Sequence, residues 1–224
     1  MIETGFLMAH PSIKGVAETS NGRRTQAERT EETRGKLLAA SVEVLAKRGY
    51  VGFRTMDVAD AAQVSRGALT HHFPSKDDLI IATLEYAFAG SAERGEVRAH
   101  RTQTVDAAIA ALIKDSQDFF FSDLFLIALE FASLNRRDPE SPIPISTISR
   151  AARLPVETAW IESLVASGVP QAIAEDVLWL TNSIIRGLAV RRLWQNDRAR
   201  FNRTLLRWRK MVKVYIDNFS ADQD

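Results

Sequence analysis

Apolar residues recur along most of this chain at spacings of three and four, the period of a helix buried on one side. Leu38, Val42 and Leu45, with Leu37 and Ser41 beside them, draw one stripe along a helix that starts near Thr30 and stops at Gly49. Glu31 and Glu32 suit the positive end of that helix, and glycine takes the left-handed conformation that closes many helices. A short helix follows, with Thr55 as its cap and Met56, Val58, Ala59 and Ala62 inward. After a turn at Gln63-Val64, Ser65 caps a second short helix whose Leu69 and Phe73 face inward with Val64. Gly67, Ala68, Thr70 and His71 are left facing outward. A longer helix from Ser75 carries Leu79, Ile80, Thr83, Leu84 and Phe88 on its inner side.

Beyond residue 104 every readable segment is helical, over 105–121, 123–135, 146–167, 171–195 and 198–219. The breaks fall at Asp138-Pro139, the Pro142/Pro144 pair, Gly168-Val169-Pro170 and Asn196-Asp197, and no alternating strand pattern appears. The expected fold is all-α: an N-terminal three-helix helix-turn-helix unit followed by a C-terminal helical bundle. Residues 1–28 read as a disordered polar arm, 29–75 as the helix-turn-helix and 76–224 as the helical body. Arg23-Arg24 ends the arm, and such a basic pair either belongs to an unstructured leader or enters a DNA minor groove.

Two short helices joined by a tight turn, the second presenting small and polar residues, form a shape that B-DNA's major groove admits. The entry segment TEETRGKLLAASVEVLAKRGY, the Phe53-Arg54-Thr55 step, the VADAAQVSRGAL core and the closing HHFPSKDDL together resemble the TetR family of bacterial transcriptional regulators over residues 30–89. The resemblance implies a recognition helix over 65–73. It also implies that Lys76, at the head of the next helix, meets a backbone phosphate. Thr70 stands where the family usually carries a tyrosine, and threonine makes a weaker phosphate contact or touches a thymine methyl. The expected DNA-binding residues are Thr55, Ser65, Arg66, Gly67, Ala68, Thr70, His71 and Lys76.

Charge sharpens this reading once it is divided along the chain. Residues 1–76 are net +3 and residues 77–224 net −2, within a total of +1. The excess is modest, and a dimer doubles it on one face, where phosphate neutralisation supplies most nonspecific affinity.

The last two helices carry an interface pattern. Phe201, Leu205, Trp208, Val212, Tyr215 and Phe219 alternate steps of four and three along one narrow seam. Ile184 and Leu188 lie on the preceding helix, where Gly187 permits close approach. The resemblance implies that both helices pair with their copies in a four-helix bundle. The alternative is that the seam packs within one subunit. A homodimer reading a palindromic double-stranded operator is the expected partner arrangement.

Between reader and seam lie Phe119, Phe120, Phe121, Phe125, Phe131, Trp160 and Trp179. Aromatics at helical spacing serve as plain core, but in this family such helices enclose a small-molecule effector. The expected pocket residues are Phe119, Phe125, Glu130, Trp160, Trp179, Asn182 and Arg186. The helix from Ser75 would link that pocket to the DNA. Effector binding would then release the operator by population shift, making the protein a ligand-responsive repressor.

Composition excludes several other classes. With no cysteine, disulfides and cysteine-ligated metal centres are ruled out, and no metal or cofactor is expected. The first fifteen residues do not read as a secretory signal. The longest apolar run, 119–134, carries Asp123 and Glu130 and falls short of the roughly 20 residues of a membrane span. A cytoplasmic protein without a membrane partner is expected. His71 and His72 lack an HExxH partner, and neither a phosphate-cradling glycine loop nor a GxSxG turn is present, so an enzyme is not expected. The alternative is a helical small-molecule-binding or adaptor protein without a DNA role.

Overall fold

The computed structural model describes residues 25–138 and 140–221 of the 224-residue chain, with the side chains of 220 and 221 left aside. The basic pair at the end of the expected arm lies outside the described residues. Within them the chain forms α1 (Gln26–Gly52), α2 (Thr55–Ala62), α3 (Arg66–His72), α4 (Lys76–Ala99), α5 (Val105–Phe120), α6 (Asp123–Arg137), α7 (Ile145–Ala166), α8 (Gln171–Arg191) and α9 (Arg198–Ala221). No strand occurs among the described residues, and none of the helices is long and apolar enough to cross a membrane.

α1 begins four residues before the expected start, because Thr25 and Glu28 form a reciprocal capping box. Thr30 therefore sits inside the helix, its hydroxyl donating to the Gln26 carbonyl. The buried stripe is Leu37, Leu38, Ala40, Ser41, Val44 and Leu45, so Val44 replaces Val42 at its centre. Gly49 breaks the helix with φ +62° and ψ −178°, a conformation open to glycine, and one irregular turn follows before Phe53. Leu37, Leu45, Phe53, Val58, Leu69 and Phe73 close the small core beneath α2 and α3.

α4 is the longest contact surface of the fold and packs chiefly against α7. Gly95 makes this possible: a Cβ there would lie 2.7 Å from Val156 Cγ1 and 3.2 Å from Asp115. α5 packs on α8 and α9, and α6 lies against both α1 and α7. The body's interior is lined by Phe88, Ile109, Leu112, Phe119, Phe131, Trp160, Leu164 and Ile185.

Most of the α9 seam is spent within the subunit, with Phe219 left 43% exposed. Phe201, Leu205, Val212 and Ile216 are buried against the rest of the chain. Trp208 Nε1 donates to Thr181 Oγ1 at 3.0 Å, and the Tyr215 hydroxyl donates to Asp176 at 3.0 Å, tying the seam to α8. The heptad pattern reflects helix-on-helix packing, but a periodicity does not specify whose helix it meets. On α8, Ile184 and Leu188 are half-buried, while a Cβ on Gly187 would meet open space.

Candidate nucleic-acid interface

Gln63 takes a left-handed conformation (φ 55°, ψ 42°) and turns the chain between α2 and α3. Its amide and that of Val64 bond back to Asp60 and Ala59, which closes α2 tightly. Ser65 then caps α3 by accepting from the Ala68 amide at 3.2 Å. Ser75 caps α4 in the same manner, in a box with Asp78. Thr55 does not cap α2: Arg54 occupies the cap position without a side-chain bond, and Thr55 is the first helical residue.

This geometry buries Leu69 and Phe73 and leaves Ser65, Arg66, Gly67, Thr70 and His71 exposed, with Ala68 half-covered. His72 turns toward the protein beside Phe73. Met56, expected inward, is 47% exposed because α2 offers its inner face through Val58 and Ala59, with Ala62 half-buried beside them. The Thr70 hydroxyl donates to the Arg66 carbonyl at 3.0 Å, so its proton is engaged within α3.

The first turns of α2 and α4 converge on one notch of about 260 Å³, lined by Thr55, Met56, Arg66, Thr70, Ser75 and Lys76 among others. Helix N-termini bring unpaired amides and partial positive charge, the ordinary chemistry of phosphate binding. Lys76 itself points the other way. Its Nζ donates to the Tyr50 carbonyl at 3.1 Å and lies 4.6 Å from the centre of the Tyr50 ring.

The residues expected around an effector do not form one group. Phe119, Phe125, Trp160 and Asn182 are buried, with Phe119, Phe120 and Phe125 in mutual edge contact. Trp160 is fully enclosed and donates from Nε1 to Asp115 at 3.1 Å. Asn182 accepts from Ser116 at 2.8 Å. Trp179 is 66% exposed on the outer face of α8. Arg186 is exposed too, though its guanidinium lies 5.9 Å from the Phe120 ring. Glu130 lies at the end of α1, where it accepts from the Tyr50 amide at 3.2 Å.

Sequence reasoning passed over the most charged part of the interior. Asp115 receives Arg98 at 3.1 Å as well as Trp160, and Arg153 approaches it to 3.8 Å. Burial pushes the Asp115 carboxyl above the ordinary carboxylate range, with Arg153, the Trp160 bond and Arg98 pulling the other way. The same burial lowers Arg153 and raises Glu157. Arg153 stacks 4.2 Å from the Phe119 ring centre, and its buried Nη1 has no hydrogen-bond partner. A signal was present: Asp115 adjoins the inward series Ile109, Leu112, Ser116 and Phe119, and Arg153 precedes Val156 and Trp160 at helical spacing. Among the described residues there is no cluster of side chains suited to a metal ion.

The family model for bacterial regulatory proteins of the tetR family matches residues 37–83, the whole of the helix-turn-helix and its flanks. The HTH-type transcriptional regulator CymR of Pseudomonas putida is 45% identical over 181 residues, covering 81% of this chain and 89% of that protein. The fold is shared with a TetR-family transcriptional regulator from Streptomyces coelicolor (22% identity, TM-score 0.61, 83% of this chain and 96% of that one). It is likewise shared with a TetR transcription regulator from Haloarcula marismortui (21% identity, TM-score 0.59, 84% and 98%). An exposed α3 within an all-helical frame of the described residues and 45% identity across 89% of the length of a known regulator agree: the chain belongs to the TetR family and is a DNA-binding transcriptional regulator, not an enzyme, of the kind that acts as a homodimer and responds to small-molecule effectors.

Proposed function

We propose that this regulator is a cytoplasmic repressor that reads a palindromic operator through α3 and is released from it by an effector held inside the body of α4–α9. The observation that carries the DNA contacts is the notch between α2, α3 and α4, with Arg66, Thr70 and His71 exposed beside it. Arg66 is placed for a guanine edge or a phosphate, and Gly67 and Ala68 keep α3 slim enough for close approach. Thr55, Ser65 and Lys76 serve the phosphates through backbone amides at or next to helix starts, since the Lys76 ammonium is engaged elsewhere. The working division is a reader over residues 29–75 and an effector-binding and dimerisation body over 76–224.

For the effector, the interior around Phe119, Phe125, Trp160 and Asn182 offers apolar walls with few polar points, and Arg153 Nη1 is a buried donor that an acceptor oxygen would satisfy. Dimer contacts fall on the faces of α8 and α9 that the subunit leaves open. Trp179, Leu180, Leu206 and Val214 are exposed there, while Phe201, Leu205 and Val212 hold α9 in place behind them. A pair of readers one helical turn apart, roughly 34–36 Å, then matches a palindrome.

Selection of bound duplexes from a random DNA pool tests the reading directly. A palindrome with half-sites about one turn apart is expected, and enrichment of no sequence would overturn it. Sedimentation of Leu180→Asp with Val214→Asp should show a monomer if the open face is the interface.

A further inference from the structure

At the break at Gly49, oppositely charged side chains meet both backbone groups of Tyr50. The Tyr50 amide is met by Glu130 Oε1 of α6 at 3.2 Å. The Tyr50 carbonyl, which accepts from the Phe53 amide at 3.4 Å, is also met by Lys76 Nζ of α4 at 3.1 Å, with the ammonium over the Tyr50 ring. Phe131, next to Glu130 and fully buried, meets the same ring edge-on at 5.1 Å. One residue of the reader is thereby gripped by two helices of the body. Only glycine suits position 49, because its φ is positive and a Cβ would press to 3.3 Å from both Glu130 oxygens.

We propose that Glu130 is a positioning residue for DNA binding: acting through the Tyr50 backbone, together with Lys76, it sets the angle at which the reader leaves the body. Charge-assisted bonds of this kind are short-ranged and directional, so α6 cannot shift against α4 and keep both. A displacement of α6 by a ligand in the interior therefore reaches the reader at Tyr50. The helix break, a local defect in α1, becomes the joint. Glu130 thus transmits the body's state to the reader and does not line the effector's pocket. This inference rests on the reader-and-body arrangement proposed above but not on any particular operator or effector.

The chain's lack of cysteine makes the test direct. Ala61→Cys on α2 and Glu162→Cys on α7, both exposed, take spin labels in the full-length protein, diluted with unlabelled protein so that only distances within a subunit are read. Without DNA, Glu130→Ala should broaden or shift the reader-to-body distance distribution, while Glu130→Gln, whose amide oxygen still accepts from Tyr50, keeps it narrow. Gly49→Ala should resemble Glu130→Ala. Affinity for the duplex recovered by selection should fall roughly three- to tenfold in Glu130→Ala and stay within about twofold in Glu130→Gln. Thermal melts establish that each variant is folded. An unchanged distance distribution in folded Glu130→Ala overturns the proposal. Failure of the selection would instead overturn the operator reading and leave the distance measurement decisive for Glu130.

Discussion

The reader and the body invert one another's polarity. In α1–α3 the interior around Val58, Leu69 and Phe73 is apolar apart from the Ser41 hydroxyl, and the polar groups Ser65, Arg66, Thr70 and His71 stand outside. In the body a few charged and polar groups enter a mostly apolar interior, and several large apolar groups come out. Asp115, Ser116, Thr181 and Asn182 are buried with Arg153 close to them, while Trp179, Leu180, Trp194, Leu206 and Val214 are exposed. A surface for a polyanion needs exposed donors on a rigid frame. A surface for a second copy needs exposed apolar area, and an interior for a ligand needs polar groups that close packing alone would not keep. Each region is thus built for a different kind of partner.

The contrast breaks most severely at Trp160. Replacing it by alanine empties the largest fully buried side chain and strips Asp115 of a donor, and should cost about 3–5 kcal/mol of stability by chemical denaturation. Arg66→Ala separates the two regions from the other side. It should leave the melting point unchanged and cost about 1–3 kcal/mol in DNA binding, with relaxed preference at one operator position if the guanidinium reads a base. Uniform weakening across sequences would mark a phosphate contact instead.

Ser65→Ala sharpens the comparison within the reader, removing the α3 cap for about 1 kcal/mol of stability. Asp115→Asn, the smallest effect, reads the body's buried charge. Because burial raises the folded carboxyl above its ordinary value, its contribution is complete below the unfolded pKa of 3.8 and is lost as pH rises through the folded one. The stability of the native protein relative to Asp115→Asn should therefore decline from pH 4 upward, as thermal melts at a series of pH values would show.

How much was legible follows the same division. Helix boundaries after residue 104 agree with the sequence to within a few residues, since Pro, Gly and Asn-Asp punctuation marks them. Leu69 and Phe73 inside, with Arg66 and His71 outside, needed only a helical period and a turn. Thr55 has the residue type of a cap but stands one position later, as the first residue of α2, where threonine is equally at home. The α9 seam was legible as a buried stripe, yet Phe201 and Leu205 face their own subunit, which periodicity does not encode. Glu130 reads as a polar point in an aromatic region, and nothing local announces that it ends 80 residues away in sequence, at Tyr50.

The sequence by itself determined the helices, the reader and its outward residues, because period, caps and breakers act within a few residues of one another. Tertiary structure alone decided which stripe is buried within the subunit and which is left exposed. It also decided that Asp115, Arg153 and Trp160 converge and that Glu130 and Lys76 close on one residue, Tyr50. Those outcomes depend on the crossing of helices distant along the chain, where burial and pairing of charge are settled by packing.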